Sequence, residues 1–286
     1  MLAILNGSLA KYSIGSFVST WLTTNAGTSS STQVKIPTLA SGFYNCVVDW
    51  GDGNTSTITT YNDAAWTHTY SVAGAYQIQI SGTFTDMSFN NGGDKLKLIS
   101  VDNWGCFAPR FAISVGAFYG CTNFSILASD YLNLNNCTSM QSFFRDCTRI
   151  SAVPTMVSWR TGNVSNMSFT FSGCTLFNQN ISFWNTLSVN TFQSMFENAT
   201  SFNKNLSSWF VINLVDATSM FAGVTLSTAN YNAILASWGA QVVQSGVTFS
   251  GGNSHYDSTS GGVNGTAGRA QLVGAYLWTI TDGGTP

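Results

Sequence analysis

Three tryptophans stand 25 residues apart, at Trp159, Trp184 and Trp209, and each is followed twelve positions later by a phenylalanine: Phe171, Phe196 and Phe221. Phe144 and Phe118 extend the phenylalanine series backward, at intervals of 27 and 26. A fixed period of this length marks an array of windings, because one winding alone cannot bury its apolar side and must stack on the next. The predicted structural core is therefore Phe118, Phe144, Trp159, Phe171, Trp184, Phe196, Trp209 and Phe221.

Relative to the anchor phenylalanine, apolar residues recur at −7 (Val164, Val189, Leu214), −4 (Met140, Met167, Phe192), +6 (Phe124, Ile150, Phe177, Phe202), +10 (Ile181, Leu206) and +13 (Trp184, Trp209). Steps of three and four, as from Met167 to Phe171 to Cys174, suit a helical or 3₁₀ turn. The stretch Ile181–Trp184 is rich in β-formers and reads as a short strand. The +3 position holds Cys121, Cys147, Cys174, Ala199 and Val224, a column of small groups. Asn178 and Asn203 repeat, as do Asn180 and Asn205, and their amides suit backbone groups at the corners of a winding.

The pattern Val-x-Asn-Met-Ser-x-x-Phe-x-x-Cys/Ala-Thr-x-Phe-Asn-Gln/Lys-Asn-Ile/Leu-Ser-x-Trp resembles the 25-residue surface-protein repeat of the BspA-like leucine-rich family. The resemblance covers roughly residues 105–240. It is strongest at Phe171 and Phe196 and looser where Cys106 or Leu132 takes the tryptophan position. It implies a leucine-rich-repeat-like solenoid used in adhesion, with no catalytic residues to carry over.

Residues 15–85 alternate with period two, in Tyr44–Trp50, Thr55–Thr60 and Ala75–Ile80, with turn residues at Gly51–Asn54 and Val72–Gly74. Short strands spaced in this way predict a β-sandwich. Val48-Asp-Trp-Gly-Asp-Gly53 and the run from Thr67 to Tyr76 resemble the PKD-type immunoglobulin-like domain, which implies a spacer or binding module. Asp49, Asp52 and Asp63 are too few and too scattered for a calcium loop, so Asp52 is expected to bond its own turn. His68 reads as a packed strand histidine, and no metal or cofactor is expected.

The fold class is thus mainly β with short helices. The reading divides the chain into an N-terminal docking segment (1–14), a PKD-like sandwich (15–100), the solenoid (101–226) and a C-terminal cap (227–286). In the cap, a helix over 227–240 presents Tyr231, Ile234, Leu235 and Trp238, with Ser227 or Thr228 capping it. A second helix over 266–276 and a strand over 277–280 follow. Met1–Gly15 lacks the marks of a signal peptide.

Only 8% of residues are charged, with 10 basic, 12 acidic and Glu197 the sole glutamate, against about 25% in ordinary domains. The near-neutral balance gives no electrostatic reason to expect nucleic acid, and no apolar run is long enough for membrane insertion. Arg110, Arg145, Arg149 and Arg160 are expected to pair locally with Asp146 and carbonyls. The six cysteines read as free thiols that fill small apolar sites.

No pair of opposed carboxylates suits glycoside hydrolysis. Asp130, Asp146, Glu197 and Asp216 are spread over several windings, so the chain is expected to be non-enzymatic. The favoured setting is a phage virion surface, as a head decoration, fibre or tail-tip protein. There it would dock on other virion proteins through its N-terminal segment, recognise a host protein or glycan, and be compatible with a homo-oligomer. The alternative is a bacterial surface or secreted adhesin. The candidate ligand-binding residues are Asn180, Ser182, Asn205 and Ser207, placed on exposed strand positions.

Overall fold

The computed structural model describes residues 15–110, 115–151 and 153–286. The expected docking segment 1–14 lies outside them. The chain is mainly β, with two α-helices near its C-terminal end.

Ten strands occur among the described residues: β1 (Phe17–Leu22), β2 (Gln33–Lys35), β3 (Tyr44–Asp49), β4 (Thr55–Ile58), β5 (Thr67–Thr69), β6 (Ala75–Phe84), β7 (Leu98–Asn103), β8 (Ser125–Ile126), β9 (Thr248–Ser250) and β10 (Thr279–Thr281). Six of them form one sheet in the order β4-β3-β6-β1-β7-β8, and β2 pairs with β5 in a separate ribbon. The period-two alternation is visible in β3, where Tyr44, Cys46 and Val48 are buried and the residues between them exposed. Ring contacts tie the ribbon side to the sheet: Trp66 lies 5.3 Å from Tyr44, and His68 stacks on Trp50 at 4.8 Å. A buried polar knot holds the loop before β2. The Asp94 carboxylate accepts the N–H groups of Thr28, Ser29 and Lys35, while Lys97 Nζ donates to the carbonyls of Ser29, Ser30 and Gln33. Burial depresses the Lys97 pKa, against the opposing pull of Asp94.

The sheet continues into the repeats without a break. β7 pairs antiparallel with β1 on one side and parallel with β8 on the other. The 100/101 boundary therefore falls inside β7. Trp104, just past β7, meets Phe118 at 5.8 Å and Trp159 at 5.8 Å, so both regions share one apolar core.

In the repeats the anchor phenylalanines form a continuous ring stack. Successive centroids are 5.6 Å apart for Phe118–Phe144, 5.7 Å for Phe144–Phe171, 5.9 Å for Phe171–Phe196 and 5.5 Å for Phe196–Phe221, with interplanar angles of 10° or less. Phe177 and Phe202 form a second column at 5.9 Å. Trp159 and Trp184 stack at 6.2 Å, and Trp209 packs on Phe192 at 5.0 Å; all three tryptophans are buried. The indole N–H of Trp184 donates to the Met156 carbonyl and that of Trp209 to the Ile181 carbonyl, each reaching one winding back.

The backbone divides its N–H groups by position. In the winding of Phe144, the residues at −4, −2, 0 and +2 (Met140, Ser142, Phe144, Asp146) donate to the carbonyls of Asn166, Ser168, Thr170 and Ser172 of the next winding. The intervening N–H groups of Phe143, Arg145 and Cys147 close turns onto Met140, Ser142 and Phe144 of their own winding. The same division recurs for Met167 to Gly173 and for Phe192 to Asn198. Every donor of this stretch is thus satisfied, as burial requires. Two residues per winding take left-handed φ. The −2 column is Gly116, Ser142, Phe169, Ser194 and Ser219, and the +2 column is Gly120, Asp146, Gly173, Asn198 and Gly223.

The strand expected over Ile181–Trp184 is a turn, closed by the Trp184 N–H on the Ile181 carbonyl. The inter-winding bridges lie instead at −5, through Ser139, Asn166, Thr191 and Asp216. The left-handed residues three positions on curl the chain before a longer strand can extend. Around Phe171, where a helical or 3₁₀ turn was expected, the chain makes successive i→i+3 turns interrupted by those left-handed residues.

The end of the array is covered. Ala217 and Phe221 donate to Thr248 and Ser250 of β9, which pairs parallel with β10. Helix α1 (Thr228–Gly239) is capped by the Ser227 side chain, which accepts from the Asn230 N–H, and it buries Tyr231, Ile234, Leu235 and Trp238. Helix α2 (Gly265–Tyr276) begins one residue before the expected start, and β10 lies two residues beyond the start of the expected strand. No helix among the described residues is long and apolar enough to cross a membrane.

Candidate functional site

The four candidate binding residues converge. Asn180, Ser182, Asn205 and Ser207 line one open groove of about 510 Å³, together with Asn203, Lys204, Ser208 and Asn230. They sit on turns between the second phenylalanine column and the tryptophans, where the expectation placed strands. The buried Phe177, Ile181 and Trp184 of one winding, and Phe202, Leu206 and Trp209 of the next, fix the positions of the intervening polar residues.

The asparagines are held by their oxygens. Asn180 Oδ1 accepts the Ser182 N–H at 3.0 Å, and Asn205 Oδ1 accepts the Ser207 N–H at 2.8 Å. Each winding also accepts from the one that follows: Asn178 Oδ1 accepts the Asn203 N–H, and Asn203 Oδ1 accepts the Ser227 N–H. A backbone N–H can only donate, so these contacts also fix which amide atom is oxygen. Asn230 Nδ2 bonds Asn203, which joins α1 to the groove wall. Asn203, Lys204, Ser208 and Asn230 were missed by the sequence reading. Their signal was available in the 25-residue register, since Asn180, Asn205 and Asn230 form one column and Asn178 and Asn203 another.

A second depression, of about 470 Å³, lies where the sheet meets the first windings and is lined in part by Asp130, Tyr131 and Arg160. The Asp130 carboxylate is occupied there by the backbone N–H groups of Trp104 and Gly105, at 2.9 and 2.8 Å. Asp216 accepts the Thr218 N–H. Asp146 is a left-handed +2 residue, and Glu197 stands two windings further on. Nothing in the structure brings these four acids to one site.

The expected pairing of Arg145 with Asp146 is not formed. The Arg145 guanidinium lies instead 5.0 Å from the Tyr119 ring centroid and 4.8 Å from that of Phe169. The apolar walls of neighbouring windings favour ring faces over a carboxylate whose own residue turns away. Arg110 lies 4.5 Å from the Phe43 ring. The ion pairs among the described residues are His68–Asp52 and Arg269–Asp282.

The acidic residues of the front sheet serve their own turns. Asp49 accepts the Gly51 N–H, Asp63 accepts that of Ala65, and Asp52 bonds both nitrogens of Asn54 as well as His68 Nε2. Burial acts to raise the Asp52 pKa, but the His68 and Asn54 hydrogen bonds outweigh it and the net shift is downward. All six cysteines are free. Cys147 and Cys174 donate to the Phe118 and Phe144 carbonyls of the preceding winding, at 3.0 and 2.9 Å. Burial pushes the thiols up, to about 11 for Cys46 and about 12 for Cys137.

Among protein families, residues 114–249 match the model described as "Mycoplasma protein of unknown function, DUF285". This stretch holds the anchor phenylalanines from Phe118 to Phe221 together with the groove. No curated protein and no solved structure matches the chain.

Proposed function

We propose that this chain is a non-enzymatic recognition protein. In this reading a leucine-rich-repeat-like solenoid of the BspA type stands behind a PKD-like immunoglobulin sandwich, and both are displayed on a phage virion surface. The observation that carries the reading is the convergence of Asn180, Ser182, Asn205 and Ser207 on one solvent-open groove built from two successive windings. The anchoring of their backbone by buried aromatic columns makes the groove a preformed surface, which lowers the ordering cost of binding. The dispersal of Asp130, Asp146, Glu197 and Asp216 supports recognition over hydrolysis. Six unpaired cysteines suit assembly in a reducing cytoplasm, where virions are built.

The test has two parts. Mass spectrometry of purified particles and of cell-surface fractions is expected to find the chain in the particles. Labelled protein is expected to bind host cells, with loss of binding on joint Asn180→Ala and Asn205→Ala substitution. Recovery in cell-surface fractions alone would favour the exported adhesin. Turnover of a polysaccharide that disappears with Glu197→Gln would overturn the non-enzymatic reading.

A further inference from the structure

The groove's polarity points to the chemistry of its ligand, an inference that rests on the recognition reading above. Its asparagines have spent their acceptor atoms. Asn180, Asn203 and Asn205 each direct Oδ1 to a backbone N–H, which leaves the Nδ2 groups of all three without a partner among the described residues. The side-chain hydroxyls of Ser182 and Ser207 are also unengaged among the described residues, whereas their carbonyls are taken by the hydroxyls of Ser208 and Ser237. Lys204 is the one charged residue lining the groove, and its ammonium has no acceptor among the described residues. Among the described residues no carboxylate lines the groove. The amide oxygen left over is that of Asn230, whose nitrogen is bound to Asn203.

Three amide NH₂ groups, two hydroxyls and an ammonium thus face solvent against a single free side-chain amide oxygen. We infer that the groove binds an acidic polysaccharide, with ring carboxylates set against Lys204 and the Asn180 and Asn205 amides. A protein partner is disfavoured by the groove's lining, which among the described residues holds no aromatic or aliphatic side chain to act as a buried anchor. A carboxylate-bearing sugar supplies what these donors lack, namely several acceptors and one negative charge, and charge-assisted hydrogen bonds are the strong ones.

The test uses the full chain on immobilised polygalacturonate and hyaluronan, with dextran and mannan as neutral probes. Binding to an acidic polymer is expected, weakening as salt is raised. Lys204→Gln and Asn205→Asp are each expected to weaken it about tenfold or more. Asn205→Asp is the sharper variant: its carboxylate oxygen still accepts the Ser207 N–H, so the turn is kept while a donor becomes an anion. An unchanged thermal midpoint separates lost binding from lost folding. Equal binding to neutral and acidic polymers would overturn the acidic assignment and leave the groove as a recognition site. Undiminished binding by both variants would remove the groove from the interaction. Failure to bind any polysaccharide, with capture of a host surface protein in its place, would overturn the carbohydrate assignment.

Discussion

Phe171→Ala should break the array near its middle. The ring is fully buried and meets four others: Phe144 at 5.7 Å, Phe177 at 3.9 Å, Phe196 at 5.9 Å and Trp184 at 5.9 Å. Truncating a buried phenylalanine costs about 3–5 kcal/mol. Phe171→Leu keeps most of the apolar volume but loses the ring geometry. Each aromatic pair contributes about 0.5–1.5 kcal/mol beyond area, non-additively among neighbours, so this change should cost about 2 kcal/mol. Windings couple mainly to their immediate neighbours. Loss of the central ring should therefore separate the unfolding of the windings before it from that of the windings after it. Urea denaturation followed by the fluorescence of the nine tryptophans is expected to show a lower midpoint and a broadened or two-step transition. A single sharp transition displaced by less than about 1 kcal/mol would refute the claim that the phenylalanine stack couples the windings.

Further outcomes follow from individual groups. Gly173→Ala should destabilise by about 1–3 kcal/mol in thermal unfolding, because φ is +73° and the new methyl would collide with Asp146 Oδ1. Trp159→Phe should cost about 1 kcal/mol less than Trp184→Phe. The Trp159 indole N–H is buried without a partner among the described residues, whereas that of Trp184 is bonded, and denaturation midpoints of the two variants decide it. Because the Asp52 pKa is depressed by folding, its stabilisation is complete above the unfolded value near 4 and fades as pH falls through the lower folded value. Asp52→Asn should flatten stability-versus-pH in that acidic window, as denaturation midpoints measured across it would show. Native thiols should react slowly with a thiol reagent at neutral pH, and urea should release six equivalents, since burial holds Cys46 near 11 and Cys137 near 12.

The parts of the fold governed by side-chain burial were legible in the residues. The recurrence of phenylalanine every 25 to 27 residues identified every member of the ring stack, and period-two alternation located β3, β4 and β6, because in both cases the apolar pattern is the cause of the packing. What escaped was governed by backbone torsion. Ile181–Trp184 has strand-forming residues but turns, since a β-former's preference yields to the path the winding must follow. The +2 column was readable in hindsight: glycine, aspartate and asparagine alone occupy it, the residues that tolerate positive φ. The −2 column was not, because Phe169 sits there in a left-handed conformation and its ring contact with Arg145 involves the preceding winding. The groove residues were half legible. Asn180 and Asn205 stood out by their own repetition, whereas Lys204 aligns with the uncharged Gln179 of the preceding winding, and its place in the groove came only from the fold.

From −4 to +2 each winding turns its hydrogens toward the next winding and its oxygens toward the one before, and at −6 the sense reverses in the same way at Ser165, Asn190 and Val215. An extra copy of 25 codons inserted between the Phe171 and Phe196 units would meet the acceptors it needs and present the donors its successor needs, with both ends of the molecule untouched. Length in this architecture is therefore a quantity that recombination can adjust in whole steps, and each step adds another row of asparagine amides to the outer surface.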